Sequence, residues 1–135
     1  MALRLKDDGN AKFKANKLKE AEGHYKDGLS HLETVKNDNK DLRDLKVTLL
    51  QNISAVTNKT GDFKETIRNC TKALKIDEKA LKALFHRSVA YLKTQNYDDA
   101  AVDCKAAIII NPKEKSYRDH WDLIKSEKAS KSQSQ

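Results

Sequence analysis

The sequence predicts an all-α chain: three helix-turn-helix repeats stacked side by side and closed by a seventh, capping helix. Three observations carry this expectation. First, sliding residues 82–112 back by 34 places lays Leu84 on Leu50, Ser88 on Ser54, Tyr97 on Phe63, Cys104 on Cys70, Ala107 on Ala73 and Ile110 on Ile76. Self-similarity at such a period marks a helical unit that cannot bury its apolar face alone and stacks on its neighbours. Second, 35% of the residues are charged, with one proline and four glycines in 135 residues, a composition suited to long solvated helices rather than sheets. Third, apolar residues recur three and four apart along nearly the whole chain, the period of a helix with one buried stripe.

The repeats are expected at about 2–36, 41–77 and 78–112, with a capping helix over 113–128 and a disordered tail over 129–135. In the first, Leu3, Leu5, Ala11 and Phe13 lie on one helix, the chain turns at Ala15-Asn16-Lys17, and Leu18, Ala21, Tyr25, Leu29 and Leu32 lie on the second. Gly9 aligns with Ser54 and Ser88, and Gly28 with Ala73 and Ala107. Small residues there let helices approach closely, while Tyr25, Cys70 and Cys104 fill the gaps. Gly9 and Ser54 are 45 rather than 34 apart, so 11 extra residues fall around Thr34 to Leu45. The expectation is a polar loop at Asn37–Lys40, a cap from Asp41 or Asp44, and about one more turn on each flanking helix. The second repeat turns at Gly61-Asp62 and the third at Gln95-Asn96. Ile108-Ile109-Ile110 continues the helical spacing of Ala100, Cys104 and Ala107, and Pro112 ends that helix. Tyr117, Trp121 and Ile124, four and three apart, form a stripe to cover the open end of the stack.

Composition narrows the function. The net charge of +7 is spread evenly, +2 over residues 1–40, +2 over 41–77, +1 over 78–112 and +2 over 113–135, so no basic block marks a nucleic-acid interface. No apolar run reaches the roughly 18 residues a membrane span needs, and no signal-peptide core follows Met1. The chain is therefore expected to be cytoplasmic and monomeric, and its three Asn-x-Ser/Thr triplets unused. Cys70 and Cys104 sit at the same repeat position among apolar neighbours, without a CxxC or His partner, and are read as core residues. Leu42 and Thr48 stand where a calcium loop starting at Asn37 would need glycine and glutamate. No metal, cofactor or catalytic motif accompanies His24, His31, His86 or His120, so an enzyme is not expected. The amphipathic, modestly basic last helix also fits a calmodulin target, a weaker reading than a cap.

With its aligned units, the Tyr97-Asp98-Asp99-Ala100 pattern, the Gly61-Asp62-Phe63 turn and the closing Asn111-Pro112, the chain resembles the tetratricopeptide-repeat family across residues 3–128. Within it, the extension between repeats one and two resembles the domains of co-chaperone immunophilins. The resemblance implies a right-handed superhelical stack whose first helix in each pair lines a concave groove. Spacing then says which polar residues share it. Lys6 and Asn10 are i, i+4 on one helical face, as are Lys82 and His86, and Asn52 is the repeat equivalent of His86. Ammonium and amide donors without interleaved acids suit a carboxylate.

In the resembled family this set is the carboxylate clamp, Lys-x-x-x-Asn, Asn and Lys-x-x-x-Arg from the first, third and fifth helices, which holds the Glu-Glu-Val-Asp tail of heat-shock proteins 90 and 70. Lys6, Asn10, Asn52 and Lys82 match it; His86 stands in the arginine's place, and Arg87 lies about 100° round the helix. Phe13 and Phe85 are expected to contact upstream peptide residues. The expected function is a non-enzymatic co-chaperone module, the isomerase domain of any parent immunophilin lying outside this chain. The alternative is a repeat scaffold that binds another partner through its groove without a terminal carboxylate.

Overall fold

The computed structural model describes residues 2–34 and 39–133, with side chains as far as Lys131. Its seven helices are α1 (Ala2–Lys14), α2 (Leu18–Glu33), α3 (Lys40–Thr60), α4 (Phe63–Ile76), α5 (Leu81–Lys93), α6 (Tyr97–Ile110) and α7 (Lys115–Gln133), with no strand among the described residues. Every helix packs on the next along the chain. In addition α1 touches α3, α3 touches α5 and α5 touches α7, whereas among the described residues the backbones of α2, α4 and α6 stay farther from one another. Two layers in which only one is closely spaced must curve toward that layer. The odd-numbered helices therefore form the concave face.

The three intra-repeat turns are built alike. Asn16, Gly61 and Gln95 take φ of 60°, 87° and 64°. Each left-handed residue ends a helix, and the next amide reaches back five residues: Lys17 N to Lys12 O, Asp62 N to Thr57 O and Asn96 N to Tyr91 O, at 2.8–2.9 Å. Glycine carries this conformation without a Cβ penalty at only one of the three, and asparagine tolerates it better than glutamine.

The aligned small positions form the seams. Ser54, Ser88, Cys70, Cys104, Ala73 and Ala107 are all fully buried. A Cβ on Gly9 would lie 2.5 Å from the Tyr25 ring, so the first seam needs glycine as the others need serine. Ser54 Oγ donates to Leu50 O and accepts from the Cys70 thiol at 3.1 Å; Cys104 Sγ donates to Tyr117 O at 3.2 Å. Both cysteines are free, and burial pushes each thiol up to about 11, so both stay protonated as core residues.

The extension between the first two repeats differs from expectation. α2 ends at Glu33, only slightly longer than α4 and α6, while α3 runs for 21 residues against 13 in α1 and α5. The added length thus goes to α3 rather than being shared. Its cap is Asn39, whose Oδ1 accepts from Leu42 N at 3.0 Å, not Asp41 or Asp44, which lie inside the helix. Asn37 and Asp38 of the expected loop lie outside the described residues.

α7 also departs from the expected layout. Tyr117 packs with Leu84 and Ala107, and Ile124 with Leu92 and Cys104, as a cap should. The helix does not stop at Lys128, however, but continues to Gln133, through residues expected to be disordered. No glycine or proline breaks it there, and Lys128 Nζ meets Asp98 at 2.7 Å. His120 completes the docking: it is buried, stands edge-on to Phe85, and its Nε2 lies 3.1 Å from Ser88 Oγ. Because that hydroxyl donates to Ala100 O, the ring nitrogen must be the donor in the His120–Ser88 bond.

Candidate functional site: a donor-lined groove on the concave face

A groove of about 530 Å³ is lined by Phe13 from α1, Asn52, Ala55, Asn58 and Lys59 from α3, Lys82, Phe85, His86 and Val89 from α5, and Tyr117 from α7. All four helices belong to the inner layer. A second hollow of about 440 Å³ shares Asn52, Lys82 and Tyr117 with it and continues past Asp44, Gln51, Asp77 and Lys79. The trough is thus continuous, with Asn52 and Lys82 at its middle.

Asn10 joins this centre by hydrogen bonding. Its Oδ1 accepts from the Tyr25 hydroxyl and from Asn52 Nδ2, the latter at 3.3 Å. With the carbonyl side doubly occupied, the Asn10 amide is fixed with its NH₂ donors free for a ligand. Burial raises the Tyr25 pKa, which keeps the phenol protonated and in its donating form. Lys6 lies one turn before Asn10 on the same face of α1 and is half-buried, but it lines neither hollow. Neither Lys6 nor Lys82 forms an ion pair among the described residues. The aspartates of the adjoining hollow are engaged otherwise, Asp44 with Lys40 and Asp77 with the Lys79 amide.

The structure therefore brings Asn10, Asn52, Lys82 and His86 together and puts Phe13 and Phe85 in the same trough. Lys6 joins them only through its shared helical face with Asn10. His86 is neutral here: burial, reinforced by the Lys82 charge, pushes its pKa down to about 4, well below the ordinary imidazole range. Arg87 cannot replace it. Its Nε and Nη2 bind both oxygens of the buried Asp103 at 2.6 and 2.7 Å, and its Nη1 reaches Thr71 Oγ1 at 3.2 Å, all on α6 and α4.

Residue spacing did not single out Tyr25 as the support of Asn10, nor Ala55, Asn58, Lys59, Val89 and Tyr117 as groove lining. Ala55 and Val89 could have been found, since they are 34 apart and each lies one turn after Asn52 or His86. Lys59 is drawn over the Phe13 ring, 4.7 Å from its centroid, a contact between repeats that no periodicity shows. On α7, Tyr117 and Ile124 are buried against the stack and Trp121 packs on it, leaving Leu123 as the large exposed apolar residue of the helix expected to suit calmodulin.

The fold matches solved structures closely. The C-terminal tetratricopeptide-repeat domain of an FK506-binding protein from Plasmodium falciparum superposes with a TM-score of 0.87 at 27% identity, covering 99% of this chain and 91% of that one. This chain is a tetratricopeptide-repeat domain. The myosin chaperone UNC-45 from C. elegans, solved in complex with an Hsp90 peptide, matches with a TM-score of 0.84 at 27% identity over 97% of this chain and 14% of that one. Among curated proteins, the mitochondrial import receptor subunit TOM70 of Rattus norvegicus is 35% identical over 109 residues, 81% of this chain. The chain spans only 17% of that relative's length. No family model matches the sequence. As a tetratricopeptide-repeat domain, the chain is a protein-interaction module, and its similar structures are interaction domains rather than catalytic ones.

Proposed function

We propose that the groove holds the free C-terminal carboxylate of an acidic chaperone tail of the Glu-Glu-Val-Asp type, from heat-shock protein 90 or 70, and that the chain acts as a non-enzymatic co-chaperone module in the cytoplasm. One observation supports this above others: Asn52 and Lys82 sit at the middle of the trough with Asn10 hydrogen-bonded to Asn52, so that the Asn10 NH₂, the remaining N–H of Asn52 and the Lys82 ammonium come from three successive inner helices, with Lys6 one turn away and neither lysine in an ion pair among the described residues. A carboxylate arriving there exchanges water for charge-assisted and amide hydrogen bonds without displacing an existing ion pair. The peptide would run along Phe85, Val89, Ala55 and Phe13. UNC-45's complex with an Hsp90 peptide and the likeness to the FK506-binding protein's domain support the ligand class and a parent protein of immunophilin type.

Calorimetric titration with a Glu-Glu-Val-Asp peptide as free acid and as C-terminal amide tests this. The free acid should bind at least tenfold more tightly, since a desolvated charged partner is worth on the order of 2 to 5 kcal/mol. A second reading, a scaffold indifferent to the chain end, is favoured by the apolar part of the lining, Phe13, Ala55, Phe85, Val89 and Tyr117. Equal binding of acid and amide would select it.

A further inference from the structure

The convex face carries a feature that the repeat scaffold does not require. α6 exposes Val102 and Ile109 at 68% and 70%, with half-buried Ala106 between them at four- and three-residue spacing and Ile110 alongside at 40%. That spacing puts them on one side of the helix, away from Cys104 and Ala107, which face the core. The other outer helices lack such a stripe. Carrying Val102, Ala106 and Ile109 back by 34 residues gives Arg68, Lys72 and Lys75 on α4, and a further 45 gives Gly23, Asp27 and Ser30 on α2, all exposed. Branched apolar side chains left in water stabilise nothing in the stack, whereas a chain pressed on them would gain from their burial. The rim of the stripe is basic. Lys105 lies beside it, Lys72 and Lys75 stand at the matching positions of the preceding outer helix, and Lys125 lies one turn beyond Trp121, which packs against α6. None of these four lysines forms an ion pair among the described residues. The exposed carboxylates of α6, Asp98 and Asp99, are confined to its first turn, and Asp98 is held by Lys128. On α7, Asp122 is outnumbered by Arg118 and Lys125, one turn to either side.

We propose that this stripe is a second docking surface, on the face opposite the groove, for an amphipathic helix of a partner protein whose apolar side is flanked by aspartates and glutamates. A small residue between two branched ones leaves a notch, the shape into which a ridge of another helix packs at about 8–10 Å between axes. A second copy of this chain is disfavoured as the occupant, since the net charge is +7 and two basic rims would meet. An anionic membrane surface fits less well, because the stripe spans only about 10 Å of a convex face and carries no aromatic residue. The inference does not depend on what the groove binds, and it leaves the groove open to its own ligand.

Heteronuclear NMR titration of the intact chain tests it. The probe is a C-terminally amidated helical peptide of about 20 residues, with leucines at three- and four-residue spacing and glutamates on the flanks, beside the same peptide with lysines for the glutamates. The acidic peptide should shift amides of residues 101–110 and of the adjoining parts of α4 and α7, and the lysine peptide should not bind. The double substitution Val102→Arg, Ile109→Lys should weaken the acidic peptide by about tenfold or more. That variant carries the residues α4 already has at the same places, so its melting temperature and its affinity for a Glu-Glu-Val-Asp peptide should be unchanged. No shift at α6, shifts confined to the groove, equal binding of both peptides, or full affinity in the double variant would overturn the inference. So would dimerisation through residues 101–110, or their binding to phosphatidylserine vesicles in preference to the peptide, which would assign the stripe to a second copy or to a membrane.

Discussion

At the scale of single residues, the groove's chemistry depends on side chains that do not themselves face the ligand. Tyr25 is a positioning residue: it fills the space above Gly9 and fixes the Asn10 amide. Tyr25→Phe keeps the ring and removes one donor, so peptide affinity should fall about fivefold, on the order of 1 kcal/mol, with the melting temperature nearly unchanged. Unchanged affinity in the titration would show that Asn52 alone orients Asn10. Lys82→Ala and Asn52→Ala should each weaken the free-acid peptide by tenfold or more, while His86→Arg should strengthen it. His86 also sets the pH response. An ordinary imidazole would titrate near 6.5, but this one is held to about 4 by burial and Lys82, with no carboxylate facing it from α1, α3 or α7 in the groove. It is neutral from pH 8 to pH 6, and affinity should be flat there. A bound carboxylate raises its pKa, so binding takes up a proton and tightens below about pH 5. Rising affinity between pH 8 and pH 6, measured by the same titration, would contradict the lowered pKa of this half-buried ring.

At the scale of helices, two features can be tested by stability alone. Asn39→Ala removes the α3 cap and should cost about 1 kcal/mol. Asp103→Ala leaves Arg87 without its bidentate partner between α5 and α6 and should cost about 3 kcal/mol in denaturant unfolding. A loss under 0.5 kcal/mol would mean that the guanidinium finds water instead. The helices and their turns were legible because the 34-residue offset carries Gly61 onto Gln95 and the same small residues into each seam. The 11-residue extension was legible as a length and not as a placement. Asn39, Asp41 and Asp44 are all competent caps, and periodicity does not say which one starts a helix. The end of α7 was misjudged for a related reason: Ala129 to Gln133 has nothing to bury, but it contains no residue that stops a helix already under way.

Across the whole molecule, the curvature makes the site. Inner helices in contact and outer helices apart bring positions 10, 52 and 82 to one trough, and repeat arithmetic could equate Asn52 with His86 because each inner helix presents the same face, while Lys82 followed from its i, i+4 spacing to His86 and from the family resemblance. What it could not supply were contacts between different positions of different repeats: Tyr25 on Asn10, Lys59 on Phe13, Asn58 on His86. Acid should weaken the fold as a unit. The pKa values of His86 and His120 are both lowered, chiefly by burial, so the unfolded chain binds more protons between about pH 6.5 and the folded values. Stability contributed by these rings is complete above pH 6.5 and is lost as pH falls through their lowered pKa values, about 4 for His86. Thermal melts at pH 7.5 and pH 5 should show a lower transition at pH 5, and His120→Gln should reduce the difference.

Recognition of a free chain end by the amide and ammonium donors of α1, α3 and α5 is what we propose for this trough. Calorimetric titration of one Glu-Glu-Val-Asp peptide, as acid and as amide, measures it most directly. The acid should bind at least tenfold more tightly, and Lys82→Ala should erase the difference; equal affinities for the two, or a difference that persists without Lys82, would rule this recognition out.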